Sequence, residues 1–147
     1  YINKDGGRWE LLEPFSSHSN AIIIASEDGR NTAKKDWFNE DYFSQFSNAK
    51  FGLCPHQLDW PGTKESLWTY RFVEACFVGS LPVLFEATPL SKKFISGYTY
   101  FWDYEFKNGF TTSVKNYDFN QALENQLRAK KQFCLTEIEI DKITATL

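Results

Sequence analysis

A chain of 147 residues has room for one domain with a real hydrophobic core. With 42% apolar and 18% aromatic residues, its composition excludes a disordered chain. The net charge is only −3, and Lys and Arg are scattered, which excludes the basic stripe that a nucleic-acid surface requires.

The short basic pairs Lys34-Lys35, Lys92-Lys93 and Lys130-Lys131 read as solvated surface. No apolar run is long enough to span a bilayer, and no signal peptide is visible. The chain opens on Tyr1 and contains no Met, so the expectation is a processed product or a piece of a longer chain. Cys54, Cys76 and Cys134 show neither metal-ligand spacing nor the even count of a disulfide framework. Cys54 and Cys76 lie in apolar surroundings and read as small buried hydrophobes, and a reducing compartment is expected.

Residues 1–20 are polar, with Gly6-Gly7 and Pro14 expected to break any element. Ala21-Ile22-Ile23-Ile24-Ala25 reads as a strand buried on both faces. After a polar turn over 26–32, a helix is expected over 36–47, with Trp37, Phe38, Tyr42, Phe43 and Phe46 on one stripe. Phe51-Gly52-Leu53-Cys54 reads as the second strand. Residues 55–64 then form a loop rich in Pro and Gly, longer than an α/β connection normally needs. A helix beginning between Ser66 and Thr69 runs to Val78, apolar nearly all round, and Gly79 ends it. Leu81-Pro82-Val83-Leu84-Phe85 is the third strand, with Pro82 tolerable near its start.

Further on, residues 89–94 suggest one helical turn, and Tyr98 to Trp102 form an aromatic extended segment that reads as core. An amphipathic helix is expected over 118–133, with Phe119, Ala122, Leu123, Leu127 and Phe133 on one side. The tail alternates at Ile138-Glu139-Ile140 without specifying an element. Strand, helix, strand, helix, strand is the grammar of an α/β fold: a Rossmann-like parallel sheet with helices on both faces.

In such sheets ligands bind outside the carboxyl ends of the strands, so the polar loops over 26–32 and 55–66 face the expected crevice. The second loop leads into a helix whose N-terminal N–H groups and partial positive charge suit a phosphate. Thr69 at the N-cap and Arg71 in the first turn add a hydroxyl and a guanidinium to that anion site. Glu74, three residues beyond Arg71, offers a carboxylate to two vicinal hydroxyls such as those of a ribose. The alternative reading is an ordinary ion pair between Arg71 and Glu74 on a solvated edge. His56, in the crevice loop, is the group whose ordinary pKa suits proton transfer near neutrality; otherwise it is a donor-binding or solvent-exposed loop residue. His18 has no assigned role.

Three segments, in order, resemble the exostosin family of glycosyltransferases. They are Ser47-Asn48-Ala49-Lys50-Phe51-Gly52-Leu53-Cys54-Pro55, Thr69-Tyr70-Arg71-Phe72-Val73-Glu74-Ala75 and Gly79-Ser80-Leu81-Pro82-Val83. The family's pattern is a strand of type F-x-L-x-P, an S-x-R-x-x-E-A helix and G-x-x-P-V. Here Thr69 replaces the usual Ser, and Tyr70 stands where Pro is common. The resemblance covers roughly residues 21–133.

It implies half of a GT-B architecture, with this chain holding a nucleotide-sugar donor, typically a UDP-sugar, and generally ligating no metal. Carried over, Thr69 and Arg71 contact the diphosphate and Glu74 the ribose, with Ser66, Arg30 and Ser26 as further donor contacts by position. The glycan acceptor and the catalytic base belong to an amino-terminal domain outside these residues. No cofactor is implied, the donor being a substrate. The expected division is an irregular segment over 1–20, the donor-binding domain over 21–135 and a tail over 136–147.

The cytoplasm is the expected location, or the Golgi lumen for part of a eukaryotic enzyme. The helix also resembles fucosyltransferases that use a GDP-sugar, although their T-E-K segment is missing. A non-catalytic module that binds a nucleotide or a protein is the remaining alternative.

Overall fold

The computed structural model describes residues 8–23, 40–55, 69–85, 95–106 and 116–145. Its elements in chain order are α1 (Arg8–Leu12) running into a 3-10 turn (Glu13–Phe15), α2 (Glu40–Ser47), β1 (Phe51–Leu53), α3 (Tyr70–Val78) and β2 (Leu81–Leu84). There follow β3 (Phe101–Trp102) with a 3-10 turn (Asp103–Glu105), α4 (Phe119–Phe133) and α5 (Glu137–Thr144). The strands form one parallel sheet in the order β1-β2-β3, registered Gly52↔Pro82 and Val83↔Phe101. The expected α/β class is therefore present, as a small three-stranded parallel sheet with helices.

α3 forms because local chemistry defines both of its ends. Thr69 takes an extended backbone, φ −110° and ψ 135°, and its Oγ1 accepts from the Arg71 N–H at 3.3 Å. At the other end Gly79 adopts φ 81°, which a β-carbon would oppose. Its N–H donates to Cys76 O, and the Ser80 N–H donates to Ala75 O at 2.9 Å, the paired bonds of a Schellman motif. Pro82 is accommodated inside the central strand by register. The Leu81 N–H donates to Lys50 O and Val83 O accepts from the Cys54 N–H, both toward β1. The N–H that Pro82 lacks therefore falls on the β3 side, one residue before that pairing begins at Val83↔Phe101.

Side chains alternate across the sheet, and both faces are covered. Cys54 and Leu84 pack with Phe72, Val73, Ala75 and Cys76 of α3. On the other face Val83 and Phe85 meet Leu12, Phe15 and Phe106, with Phe51, Leu53 and Phe101 packed against them. Gly52 marks the closest approach. A β-carbon there would lie 2.7 Å from Phe46 Cε2 and 2.8 Å from Ala75 Cβ, so α2 and α3 crowd onto β1 at this point.

Three expectations need correction, and one unassigned segment proves helical. The amino-terminal stretch is not irregular: α1 and its 3-10 turn supply Leu12 and Phe15 to the core, and Phe15 meets Phe85 edge-on at 5.9 Å. Pro14 is the second residue of the 3-10 turn, where its missing N–H has no bond to lose. Of the strand expected over 21–25, residues 21–23 form none and Ile22 is 75% exposed rather than buried, while residues 24 and 25 lie outside the described residues.

α4 spans the expected residues, capped by Asp118 Oδ1 at Asn120 N, 2.8 Å. It turns a different face inward, however. Ala122, Asn125 and Ala129 are buried, while Phe119, Leu123 and Leu127 are exposed. Small residues let α4 lie close on α3, where Gln126 Nε2 donates to Phe77 O at 2.6 Å. Asn125 closes a pair of bonds on Thr99, accepting from its N–H at 2.9 Å and donating to its carbonyl at 2.7 Å. Lastly, the tail forms α5, opened by a capping box in which Thr136 and Glu139 exchange bonds.

The aromatic segment packs as expected. Tyr98 is buried against Phe72, with ring centroids 5.2 Å apart, and its hydroxyl donates to Gln132 Oε1. The expected turn over 89–94 lies outside the described residues.

Candidate functional site

Among the described residues β1 is one of the two edge strands of the sheet, and a cavity of about 500 Å3 runs beside it from Lys50 to Pro55. Ile22 and Ile23 line it on one side, Tyr42 and Phe46 of α2 and Arg71 of α3 on another. That volume falls within the range of small-molecule sites, and the lining is largely apolar with a few polar groups at one end. The segment misread as a strand thus contributes a wall of the cavity instead of a third layer of pairing.

The polar end is built by two helices. Arg71 and Glu74 stand one turn apart on α3, both half-buried. Between them reaches Tyr42 from α2. Its hydroxyl accepts from Arg71 Nη1 at 2.9 Å and donates to Glu74 Oε2 at 2.8 Å. The guanidinium carbon also lies 5.4 Å from the Tyr42 ring centroid, a cation–π distance. Burial pushes the Tyr42 phenol well above its ordinary range, with Glu74 adding to the rise and Arg71 opposing it. The hydroxyl therefore keeps its proton and remains a donor to Glu74.

Of the expected site residues, Thr69, Arg71 and Glu74 are brought together at the start of α3, and Arg71 lines the cavity. Thr69 and Glu74 are set back from it. Thr69 is buried, and its oxygen serves the α3 cap. Ser26, Arg30, His56 and Ser66 lie outside the described residues.

Tyr42 was legible only as part of an apolar stripe. The signal that could have found it is its hydroxyl, which must have a partner wherever the ring is packed inward. Lys50 lines the same cavity, and its Nζ lies 5.9 Å from the Tyr117 ring centroid.

Cys54 and Cys76 are buried with their thiols pushed up by burial, Cys76 to about 12, which makes them poor nucleophiles. Among the described residues, no three His, Cys, Asp or Glu side chains cluster so as to hold a metal ion. No helix among them is long and apolar enough to cross a membrane.

Compared with known proteins, the chain matches no family model, no curated protein and no solved structure.

Proposed function

We propose that this chain is the donor-binding, Rossmann-like half of a GT-B glycosyltransferase that takes a nucleoside-diphosphate sugar, a UDP-sugar in the first instance, and passes the sugar to a glycan acceptor. The observation that carries this reading is Arg71, on the first turn of α3, at the wall of a ligand-sized cavity beside the sheet. A helix N-terminus and a guanidinium together favour a diphosphate through the helix dipole and charge-assisted bonds. The ordered resemblance of the Phe51, Thr69 and Gly79 segments to the exostosin family supports it from the sequence side.

In this reading Arg71 binds the diphosphate and stabilises the negative charge that grows on it as the glycosidic bond breaks, doing so without a divalent metal. Glu74 accepts bonds from the ribose hydroxyls, and Thr69 orders the helix start that presents Arg71. Ser26, Arg30 and Ser66 extend the donor site from the loops. The base that activates the acceptor belongs to a partner amino-terminal domain, with His56 as the candidate within this chain.

Calorimetry with UDP tests the proposal. The unaltered chain should bind UDP, and Arg71→Ala should weaken that binding about 10- to 100-fold, the weight of one or two charge-assisted hydrogen bonds. Equal affinity in the two proteins removes the assignment. Thermal stabilisation by UDP-sugars but not by NAD or ATP separates a transferase domain from a general nucleotide-binding module. Stabilisation by GDP-sugars instead would favour the fucosyltransferase-like alternative.

A further inference from the structure

We infer that Tyr42 is a positioning residue of the donor site: its hydroxyl sets the place of the Arg71 guanidinium at the cavity wall, so that the phosphate-binding cation is ordered before ligand arrives. This rests on the donor-site reading above. Arg71 and Glu74 carry opposite charges at i and i+3 of one helix, a spacing at which side chains meet directly. At that spacing a third group that bonds both fixes their relative placement.

The Tyr42 hydroxyl joins both, accepting from Arg71 Nη1 and donating to Glu74 Oε2. A phenol can do both at once, as an oxygen with one proton and two lone pairs.

Tyr42 is itself held firmly. Its ring stacks edge-on against Phe43 at 5.0 Å and lies 5.5 Å from Phe46, whose ring presses on Gly52 and Ala75 at the closest contact of α2 with the sheet. The path of support runs from β1 through Phe46 and Tyr42 to Arg71. Arg71 and Tyr42 line the same cavity, so an anion entering it meets a cation whose side-chain order is already set. An arginine loses considerable rotamer freedom when it is fixed, and a partner that fixes it beforehand removes that cost from binding.

The test compares UDP with uridine by calorimetry on the unaltered chain, Tyr42→Phe, Arg71→Ala and the double variant. Tyr42→Phe keeps the ring and its contacts to Phe43 and Phe46, and its melting curve reports whether the fold is intact. It should weaken UDP about three- to tenfold, the weight of one immobilised side chain, and weaken uridine clearly less, the uridine change reporting the Tyr42–Glu74 bond alone. In the Arg71→Ala background the same substitution should change UDP affinity no further, because the hydroxyl acts through that guanidinium.

UDP binding equal to that of the unaltered chain, or an equal loss for UDP and uridine, overturns the role of Tyr42 while the donor site stands. Full additivity in the double variant overturns it too, and this comparison holds even where Tyr42→Phe lowers stability. An unaltered chain that binds no UDP, or Arg71→Ala that binds it as well, removes the donor-site reading and this inference with it.

Discussion

At the scale of single residues, the molecule depends on a few positions where one atom decides the packing. Gly52 is the sharpest. Its missing β-carbon is the space that Phe46 and Ala75 occupy, so Gly52→Ala inserts a methyl where neighbours stand at 2.7–2.8 Å. Overpacking of this kind costs about 1–3 kcal/mol, and a urea denaturation midpoint should fall accordingly, even though alanine suits a strand better than glycine does. The Gly52 side of the molecule is also the Tyr42 side, because Phe46 links the two. Arg71→Ala and Tyr42→Phe remove partly buried hydrogen bonds as well, and should lower stability by about 1–2 kcal/mol besides their effect on ligand affinity. Arg71 is legible in the sequence as a cation in a first helical turn. Tyr42 is not, because its partners stand 29 and 32 residues further along the chain.

At the scale of elements, the helices separate local from distant causes. Both ends of α3 are readable, since Thr69 and Gly79 act on groups two to five residues away. The ends of α4 are readable for the same reason. Its buried face is not. Periodicity favours Phe119, Ala122, Leu123, Leu127 and Phe133, yet of these Ala122 alone is buried, together with Asn125 and Ala129. Close approach to α3 selects small residues, and the Thr99 peptide selects an amide that can both donate and accept.

Opposite outcomes follow for two substitutions in this helix. Asn125→Ala leaves the Thr99 N–H and carbonyl without the partner they have now, a loss of about 1–3 kcal/mol for two partly buried polar groups. Leu127→Gln, at a side chain 58% exposed, should change stability by less than about 0.5 kcal/mol. Chemical denaturation of the two variants side by side checks both; a reversed order would mean that α4 packs by its Leu face. For α5, the Thr136-x-x-Glu139 capping box was the sequence signal available, and the alternation at Ile138 obscured it.

At the scale of the whole molecule, a thin sheet is closed by helices on both faces, and the buried thiols sense how well that closure holds. Burial raises the pKa of both Cys54 and Cys76, the latter to about 12 from 9.0. A thiol whose pKa is higher folded than unfolded contributes stability that is complete below the ordinary thiol range. That contribution declines as pH rises from about 9 toward 12, because the unfolded chain releases its proton first. The urea midpoint should therefore drop between pH 8 and pH 10.5, and Cys76→Ala should shrink the drop. A midpoint independent of pH over that range would mean that the thiols are not sealed from water.

The sequence by itself determined the α/β grammar, the limits of α3 and α4, and the buried character of Cys54 and Cys76. Those features arise from caps, glycine conformations and apolar runs that act within a turn or two of helix. Only the tertiary structure decided that residues 8–15 cover one face of the sheet, that Ile22 faces a cavity, and that Asn125 rather than Leu127 turns inward. It also decided that Arg71 and Glu74 are joined through Tyr42 rather than standing as an isolated pair on a helix edge. Each of these depends on groups 26 or more residues apart, or on which of two apolar faces finds a complementary surface, and no local pattern carries that information.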